Sequence, residues 1–364
     1  MKKSFLVILV FLACLSPTSA QEDTCASGQW NINGECASPD TIQPGWNTVL
    51  PGGDTSCAHG TPFQFWIRPG SSNDVLIFFQ GGGGCWSAET CQQGSSWYNQ
   101  VAGSQASISR AGLFDFDHPE NPFTDYTYVV VPSCTGDVYM GAKYKAYGEN
   151  VQIYHHGFIN LSSALQFVFD TREQPDSIFV TGCSAGSPGS AIAAPRLIQH
   201  YPNTRVTQLG DSLGAIFDTP DDMEELWGIQ SSIPDWIPDM PSAEAFTMSA
   251  YYIALANYYP NYRFGQYNSL FDRVQQRYFS IGQSDPAAYL AETLNTTLSQ
   301  ISEHAPNFRS YTAEGDLHCI TPRPEFYSYT VNGVRFVDWI AAYAQGESIN
   351  TIHCEACDRL YNGD

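Results

Sequence analysis

The sequence is poor in basic residues. Its 364 residues include 16 Lys and Arg against 37 Asp and Glu, which gives a formal net charge of −21 at pH 7. A surface this acidic repels phosphate backbones and anionic headgroups, so the composition argues against binding to nucleic acid or to an anionic membrane. It also disfavours strongly anionic polymers as substrates, unless salt or a local positive patch offsets the charge.

The sequence also lacks a hydrophobic run long enough to span a bilayer. The apolar stretch at residues 5–15 is too short for a membrane helix. It follows Lys2 and Lys3 and precedes small residues at 18–20, an order typical of a cleaved secretory signal peptide. We therefore predict a signal peptide over residues 1–20, a secreted or periplasmic protein, and a mature chain that is soluble, monomeric and without a membrane span.

Cysteine is present in a number that suits export. Of the 11 cysteines, Cys14 lies in the predicted signal peptide, and an even number remains. An even number in an exported chain favours disulfides. Short separations favour three pairs: Cys25–Cys36, Cys85–Cys91 and Cys354–Cys357. Spacing cannot pair the other four, Cys57, Cys134, Cys183 and Cys319. A zinc site around residues 353–357 would need a second cysteine pair at ligand spacing, which is absent.

Apolar runs alternate with stretches of helical periodicity. Residues 75–79 form an uninterrupted apolar run, as expected for a strand buried on both faces. Similar strand-like runs lie at residues 126–131, 177–181, 205–209 and 308–312. Helical spacing is found at residues 158–169, 189–199, 269–280, 286–302 and 336–345. This order predicts an α/β fold with a mostly parallel sheet and crossover helices.

Two segments depart from this alternation. Residues 21–60 are rich in Gly, Pro, Asn and Cys, and we expect an irregular, disulfide-stapled lead-in to a single domain over residues 61–364. Residues 215–265 mix Trp, Met and Phe with acidic residues and prolines. They form either a cap inserted over a site or a surface helical excursion that packs its own aromatic side chains.

Residues 182–186 read Gly-Cys-Ser-Ala-Gly and match the G-x-S-x-G nucleophile elbow. In this motif the serine lies on a strained strand-to-helix turn, so small residues must flank it. The turn exposes the hydroxyl and directs the next backbone N–H, that of Ala185, at a developing oxyanion. A glycine-rich turn with a bystander serine is the alternative. The strand before and the helix after the motif favour Ser184 as a nucleophile.

A glycine run, Gln-Gly-Gly-Gly-Gly-Cys-Trp at residues 80–86, follows the first buried strand. Esterases place such a turn here because its bare N–H groups must approach the substrate oxygen. A phosphate-binding loop would continue with Gly-Lys-Ser or Gly-Lys-Thr, and a dinucleotide fold would open a helix at G-x-G-x-x-G. Neither pattern is present. An oxyanion loop is the preferred interpretation, and a plain flexible turn is the alternative.

The general base must be a histidine late in the chain, since this fold orders its residues Ser, Asp or Glu, then His. His304, His318 and His353 qualify. His318 is favoured because it lies in a loop beyond the strand-like run 308–312, where the fold needs the base. Adjacent His155 and His156 point in different directions without a carboxylate at ligand spacing, so we predict no metal there.

Residue spacing alone does not identify the carboxylate that would orient the histidine. Asp218, Asp272 and Asp285 all lie between Ser184 and His318, and Asp316 is too close to His318 to reach its far ring nitrogen. Asp272 opens a helical stretch after an extended segment, as the acid should. A helix N-cap explains that position equally well.

Together these motifs resemble the pectin acetylesterase and Notum family of carboxylesterases, over about residues 45–357. The segments that carry the resemblance are Thr-Ser-Cys-Ala-His-Gly at 55–60, the glycine run at 81–85, Cys-Thr-Gly-Asp-Val-Tyr-Met-Gly at 134–141, the elbow at 182–186, Asp211-Ser212, Asp272 and His318. The resemblance implies an α/β-hydrolase fold, a Ser184-Asp272-His318 triad, and oxyanion donors at Gly82, Gly83 and Ala185. It also suggests a substrate pocket formed by Trp86, Asp137, Tyr139, Asp211 and Ser212.

The resemblance further implies a secreted serine carboxylesterase that needs no metal or organic cofactor. The leading substrate is an acylated polysaccharide that loses O-acetyl groups. Longer acyl chains on a lipid or protein are an alternative, as are a secreted protease and a non-catalytic carbohydrate-binding homologue. The family often has Glu where Gln80 stands and Trp where Gly83 and Gly84 stand, and Gly where Ser187 stands. These departures touch the pocket wall and bear on substrate choice rather than on the reaction.

Overall fold

The structure, a computed structural model, describes residues 25–213 and 223–354. The predicted signal peptide and Cys357 lie outside these residues. The strands are β1 (Trp30–Ile32), β2 (Glu35–Ala37), β3 (Asn47–Leu50), β4 (Phe65–Arg68), β5 (Val75–Phe79), β6 (Thr127–Val131), β7 (Lys143–Gly148), β8 (Val151–His155), β9 (Ser177–Cys183), β10 (Arg205–Asp211), β11 (Arg263–Ser269), β12 (Phe308–Ala313), β13 (Thr330–Val331) and β14 (Val334–Arg335). The α-helices are α1 (Ala88–Cys91), α2 (Gly157–Thr171), α3 (Gly186–His200), α4 (Met223–Trp227), α5 (Met248–Tyr258), α6 (Arg273–Phe279), α7 (Pro286–His304), α8 (Glu325–Ser328) and α9 (Phe336–Ala344).

Ten strands form one sheet in the order β12-β11-β10-β9-β5-β6-β4-β3-β1-β2. The strands from β12 to β6 in this order are parallel to their neighbours, and we call them the parallel part. The strands β4, β3, β1 and β2 pair antiparallel, and we call them the antiparallel part. Helices pack against the sheet, so the predicted α/β-hydrolase-like fold is confirmed.

The centre of the parallel part is built from the runs that the sequence marks most clearly. Every residue of β5 and of β6 is buried, because helices cover both faces of the sheet there. All five predicted strands are found in the sheet. The predicted helices are also found, with one exception. The segment 269–280 begins with the last residue of β11 and becomes helical only at Arg273.

The lead-in predicted for residues 21–60 contains the disulfide Cys25–Cys36 but is not irregular throughout. Three strands, β1, β2 and β3, lie there and extend the central sheet. β3 alternates buried and half-buried residues, which is the pattern of a strand with one covered face. Short strands separated by Gly and Pro turns leave little periodicity to detect. The high content of Gly, Pro, Asn and Cys therefore predicted irregular structure where strands are present.

The structure contains the predicted disulfides Cys25–Cys36 and Cys85–Cys91. It pairs the four unassigned cysteines as Cys57–Cys134 and Cys183–Cys319. Cys354 is disulfide-bonded, and its predicted partner lies outside the described residues. Within the described residues, no helix is both long and apolar enough to cross a membrane.

Candidate active site

The residues predicted to carry the chemistry lie at one edge of the parallel part. The glycine run follows β5, Ser184 follows β9, Asp272 follows β11 and His318 follows β12. Because these four strands run in the same direction, their carboxyl ends share one edge of the sheet. Loops that leave that edge build a common site.

Ser184 lies on a sharp turn between β9 and α3. Its φ of +56° is in the left-handed region, which is unfavourable for a residue with a side chain. A Cβ added to Gly182 would lie 2.1 Å from the carbonyl oxygen of Gly186. One added to Gly186 would lie 1.9 Å from the carbonyl oxygen of Phe79. Both motif glycines are therefore required by close backbone crossings, and the turn holds the serine away from the sheet.

The glycine run passes directly beside this turn. A Cβ on Gly81 would lie 3.0 Å from the Cβ of Ser184, and one on Gly82 would lie 2.7 Å from the Cβ of Ser133. Gly83 has φ of +69°, and its added Cβ would lie 2.0 Å from the carbonyl oxygen of Trp97. Bare backbone thus approaches the nucleophile turn, as an oxyanion loop requires.

Asp272 and His318 are joined by a hydrogen bond. His318 Nδ1 lies 2.7 Å from Asp272 Oδ2, and the Asp272 side chain is fully buried whereas His318 is 16% exposed. Asp272 also caps α6, because its Oδ1 accepts the backbone N–H groups of Val274 (2.9 Å) and Gln275 (3.1 Å). The two explanations that spacing left open both hold, since one oxygen caps the helix and the other holds the imidazole.

The rival residues lie elsewhere. His304 is exposed at the end of α7, with its Nδ1 2.9 Å from the carbonyl oxygen of Gln300, and His353 is exposed beyond α9. Asp285 caps α7, and Asp316 pairs with Arg273 at 2.8 Å on the surface. Asp218 lies outside the described residues.

Asp211 and Ser212 do not line a pocket, so this prediction is corrected. Both are fully buried. The Asp211 carboxylate accepts the backbone N–H groups of Ile320 (3.0 Å) and Thr321 (2.8 Å), and Ser212 Oγ accepts that of Cys319 (3.0 Å). Burial raises the pKa of Asp211 above its ordinary value, against the opposing effect of these hydrogen bonds. The pair fastens the loop after His318 rather than contacting a substrate.

Asp137 and Tyr139 are likewise buried and are corrected in the same way. Asp137 accepts hydrogen bonds from the N–H of Gly157 (2.7 Å) and the hydroxyl of Thr135 (2.8 Å). Burial nevertheless raises the pKa of Asp137 to about 6. The Tyr139 hydroxyl lies 2.8 Å from the carbonyl oxygen of Gln80, so it supports the start of the glycine run from below.

Trp86 is half-buried in an aromatic cluster beside Gly83. Its ring packs edge-on against Trp97 at 5.4 Å and against Tyr278 at 6.3 Å. The Arg277 guanidinium lies 4.4 Å from the centre of the Trp97 ring. This cluster borders the glycine run but is not part of the described wall of the cleft over Ser184.

An open cleft of about 820 Å³ lies over Ser184, and both Ser184 and His318 line it. Its wall is mixed, because the polar side chains of Gln80, Asn99, Gln100, Ser107 and Ser109 lie among apolar ones such as Phe78, Val101, Phe114 and Val274. Among the described lining residues, Arg323 is the one that carries a formal charge, and no Asp or Glu is found. The described wall thus carries one positive charge in a chain of net charge −21.

The described part of the 215–265 segment, which begins at residue 223, contributes nothing to this wall. It buries Trp227, Tyr251 and Tyr252 in the main core instead. Within the described residues the segment therefore follows neither alternative, because it covers no site and its aromatic side chains join the main core rather than packing only on one another.

Three supporting residues were missed in the sequence. Gln275 Nε2 donates to Asp272 Oδ2 at 3.0 Å, and Arg323 Nε donates to the carbonyl oxygen of His318 at 3.0 Å. Asn99 N donates to the carbonyl oxygen of Gly82 at 2.8 Å. Gln275 stands at the third position of the helix that Asp272 caps, which is a detectable signal. Asn99 and Arg323 have no local pattern that could have identified them.

The model of the family described as Pectinacetylesterase matches residues 50–227. A solved structure of the Wnt deacylase Notum from Drosophila superposes with a TM-score of 0.61 and 16% sequence identity, covering 84% of this chain and 95% of that chain. At this identity the superposition concerns the fold. A search of curated proteins gives no match.

Proposed function

We propose that this chain is an exported enzyme that removes O-acetyl groups from a polysaccharide. The match over residues 50–227 makes it a member of the pectinacetylesterase family and thus a carboxylic ester hydrolase. The observation that carries the proposal is the Asp272–His318 hydrogen bond beside the strained Ser184 turn in an open cleft. A carboxylate that orients an imidazole next to a serine is the arrangement needed for acyl transfer.

The proposed reaction proceeds through an acyl-enzyme. His318 Nε2 takes the proton of Ser184 as its Oγ attacks the ester carbonyl, while Asp272 Oδ2 holds the other ring nitrogen. The backbone N–H groups of Gly82, Gly83 and Ala185 stabilise the oxyanion. His318 then returns the proton to the departing sugar oxygen. Water, activated by the same imidazole, releases acetate and restores Ser184.

The cleft wall offers polar partners to a sugar. Amide and hydroxyl side chains lie among its apolar ones, and such groups exchange hydrogen bonds with a hydroxylated polymer. The open shape admits a chain that continues past the site. The aromatic residues of α4 and α5, which could have supplied an apolar acyl pocket, are used in the core.

The positive charge of Arg323 affects which polysaccharides the cleft could bind. Arg323 is exposed and lines the cleft, so it supplies the local positive patch that would offset the overall negative charge for a polymer carrying carboxylates. The polymer's carboxylate would pair with this guanidinium. Replacement by Gln should raise KM for an acidic acetylated polymer more than for a neutral one, whereas equal effects would exclude this contact.

The test is hydrolysis of p-nitrophenyl esters from acetate to palmitate, together with acetate release from acetylated polysaccharides. Oxidatively folded mature protein, Ser184→Ala and a surface control, Ser302→Ala, are compared. We expect activity to be greatest on acetate, to vanish in Ser184→Ala and to persist in the control. A maximum at long chains would keep the mechanism and replace the substrate by a lipid-like ester. Full activity in Ser184→Ala would overturn the assignment of the nucleophile.

A further inference from the structure

The disulfide Cys183–Cys319 joins the two residues that flank the proposed nucleophile and base. Cys183 directly precedes Ser184, and Cys319 directly follows His318. The two cysteines are 136 residues apart in sequence. Both line the cleft, and their sulfurs lie within 4.8 Å of a ring nitrogen of His318. No other described disulfide joins two residues that line the cleft.

The backbone on both sides of this bond is strained. Ser184 has φ of +56° and Cys319 has φ of +58°, and neither is glycine. Residues in this region keep their conformation only when surrounding interactions hold them. The loop that carries His318 lies outside regular secondary structure, so it depends on such interactions more than a strand does.

Hydrogen bonds tie both segments to Asp211, the last residue of β10. Asp211 accepts the N–H of Ser184 through its carbonyl oxygen (2.8 Å) and the N–H of Thr321 through its carboxylate (2.8 Å). The contacts of Asp211 and Ser212 with this loop start at Cys319, and Arg323 donates to the carbonyl oxygen of His318, whereas the disulfide is a covalent link to the residue before Ser184. Among the described disulfides, this bond is thus the one that links the segment of Ser184 to the segment of His318.

We propose that the Cys183–Cys319 disulfide is a positioning element for the reaction, which holds His318 within proton-transfer reach of Ser184. The inference rests on the proposed function, because it assumes that these two residues are nucleophile and base. Proton transfer depends steeply on the separation of donor and acceptor, and a shift of the order of 1 Å can cost about 100-fold in rate. Substrate binding along the rest of the cleft does not depend on this bond.

The test compares Cys183→Ala/Cys319→Ala with Cys57→Ala/Cys134→Ala. The control pair is also buried or nearly so and closes a long loop, with a separation of 77 residues. Both changes should lower Tm. Only the first should lower kcat on p-nitrophenyl acetate, by about 10- to 100-fold, with KM unchanged. A fall in kcat that is equal in both variants, or absent from the first, would overturn the proposal.

A fluorophosphonate probe separates this proposal from the proposed function. In the labelling reaction Ser184 Oγ forms a bond to phosphorus, fluoride leaves, and the serine proton passes to His318. Labelling in wild type and its loss in Ser184→Ala test the nucleophile. A labelling rate that falls with kcat in the Cys183→Ala/Cys319→Ala variant supports positioning. If Ser184 is labelled at the wild-type rate in that variant, only the positioning role fails.

If the double variant does not fold, the wild-type protein provides a second measurement. Dithiothreitol reduces an accessible disulfide to two thiols while it is itself oxidised to its cyclic disulfide. Alkylation and mass spectrometry then report which pair has opened in still-folded protein. Loss of kcat should follow opening of Cys183–Cys319 and not of the more exposed Cys25–Cys36 pair. Full activity with Cys183–Cys319 open would refute the proposal.

Discussion

The parallel and the antiparallel parts belong to one sheet, yet only the parallel part carries the proposed site. Its strands β5, β9, β11 and β12 all end at the same edge, and each is followed by a residue or loop of the cleft. In the described N-terminal region, residues 25–68, no residue lines the cleft. Parallel strands joined by crossovers bring distant loops together, whereas antiparallel strands turn back at alternate edges and disperse them.

Glycine also has different roles in the parallel and antiparallel parts. In the parallel part, Gly182 and Gly186 allow close backbone crossings around the strained Ser184. In the antiparallel part, Gly34 supplies only a left-handed turn between β1 and β2, with open space around it. The same residue type thus positions the proposed nucleophile in one region and reverses the chain in the other.

The largest effect is expected where β11 ends. Asp272→Asn should lower kcat/KM by about 10⁴-fold, because the amide no longer holds the imidazole in the required tautomer. The matched control is Asp285→Asn, which also changes a helix cap, that of α7, but lies outside the described cleft wall. Steady-state kinetics on p-nitrophenyl acetate measure the effect, and kcat/KM of the control should equal that of wild type. Comparable activity in the two variants would remove Asp272 from the proposed mechanism.

The next largest effect is expected from replacing a glycine at a close backbone crossing, compared with a glycine in an open turn. Gly186→Ala should lower the free energy of unfolding by roughly 3 kcal/mol or more, because its Cβ meets a backbone carbonyl that cannot yield. Gly34→Ala, where no atom lies within 4 Å but φ is +91°, should cost only about 1 kcal/mol. Urea unfolding measures both. Equal losses would show that crossing geometry does not distinguish the two parts.

A pH effect is expected from Asp137, in the loop that follows β6 at the border of the two parts. Burial raises its pKa from 3.8 to about 6 in the folded state. Between these values the folded chain binds a proton that the unfolded chain has lost. The resulting stability is fully present below pH 3.8 and is lost as the pH rises through 6, by about 3 kcal/mol in total.

The measurement is the difference in free energy of unfolding between wild type and Asp137→Asn from pH 4 to 7. Because Asn does not titrate, the free energy of unfolding of wild type should fall relative to that of the variant as the pH rises. A difference that is constant over this range would contradict the raised pKa.

The smallest effect is expected in the antiparallel part. Cys25→Ala/Cys36→Ala removes a bond with a separation of 11 residues, and stability should fall by about 2 kcal/mol from the restored freedom of the unfolded chain. kcat and KM should not change, because this region takes no part in the described cleft. A lower kcat in folded variant protein would break the distinction between the two parts.

Features that are contiguous in the chain could be predicted from residue order alone. The buried runs at β5, β6 and β9, the glycine run and the elbow at Ser184 were found because each is defined by neighbouring residues. Close disulfide pairs were found for the same reason. Short strands such as β1–β3 were missed, since three or four residues between turns leave no clear period.

Contacts between distant residues, in contrast, depend on the packing of the whole fold. Asp272 and His318 are 46 residues apart, and spacing could not distinguish a helix cap from a partner for the imidazole. The pairing of Cys183 with Cys319, and the burial of Asp211 beneath the loop after His318, likewise depend on the packing of β9, β10, β11 and β12 side by side. Sequence patterns report local conformation, whereas these contacts follow from the order of strands in the sheet, which no local pattern contains.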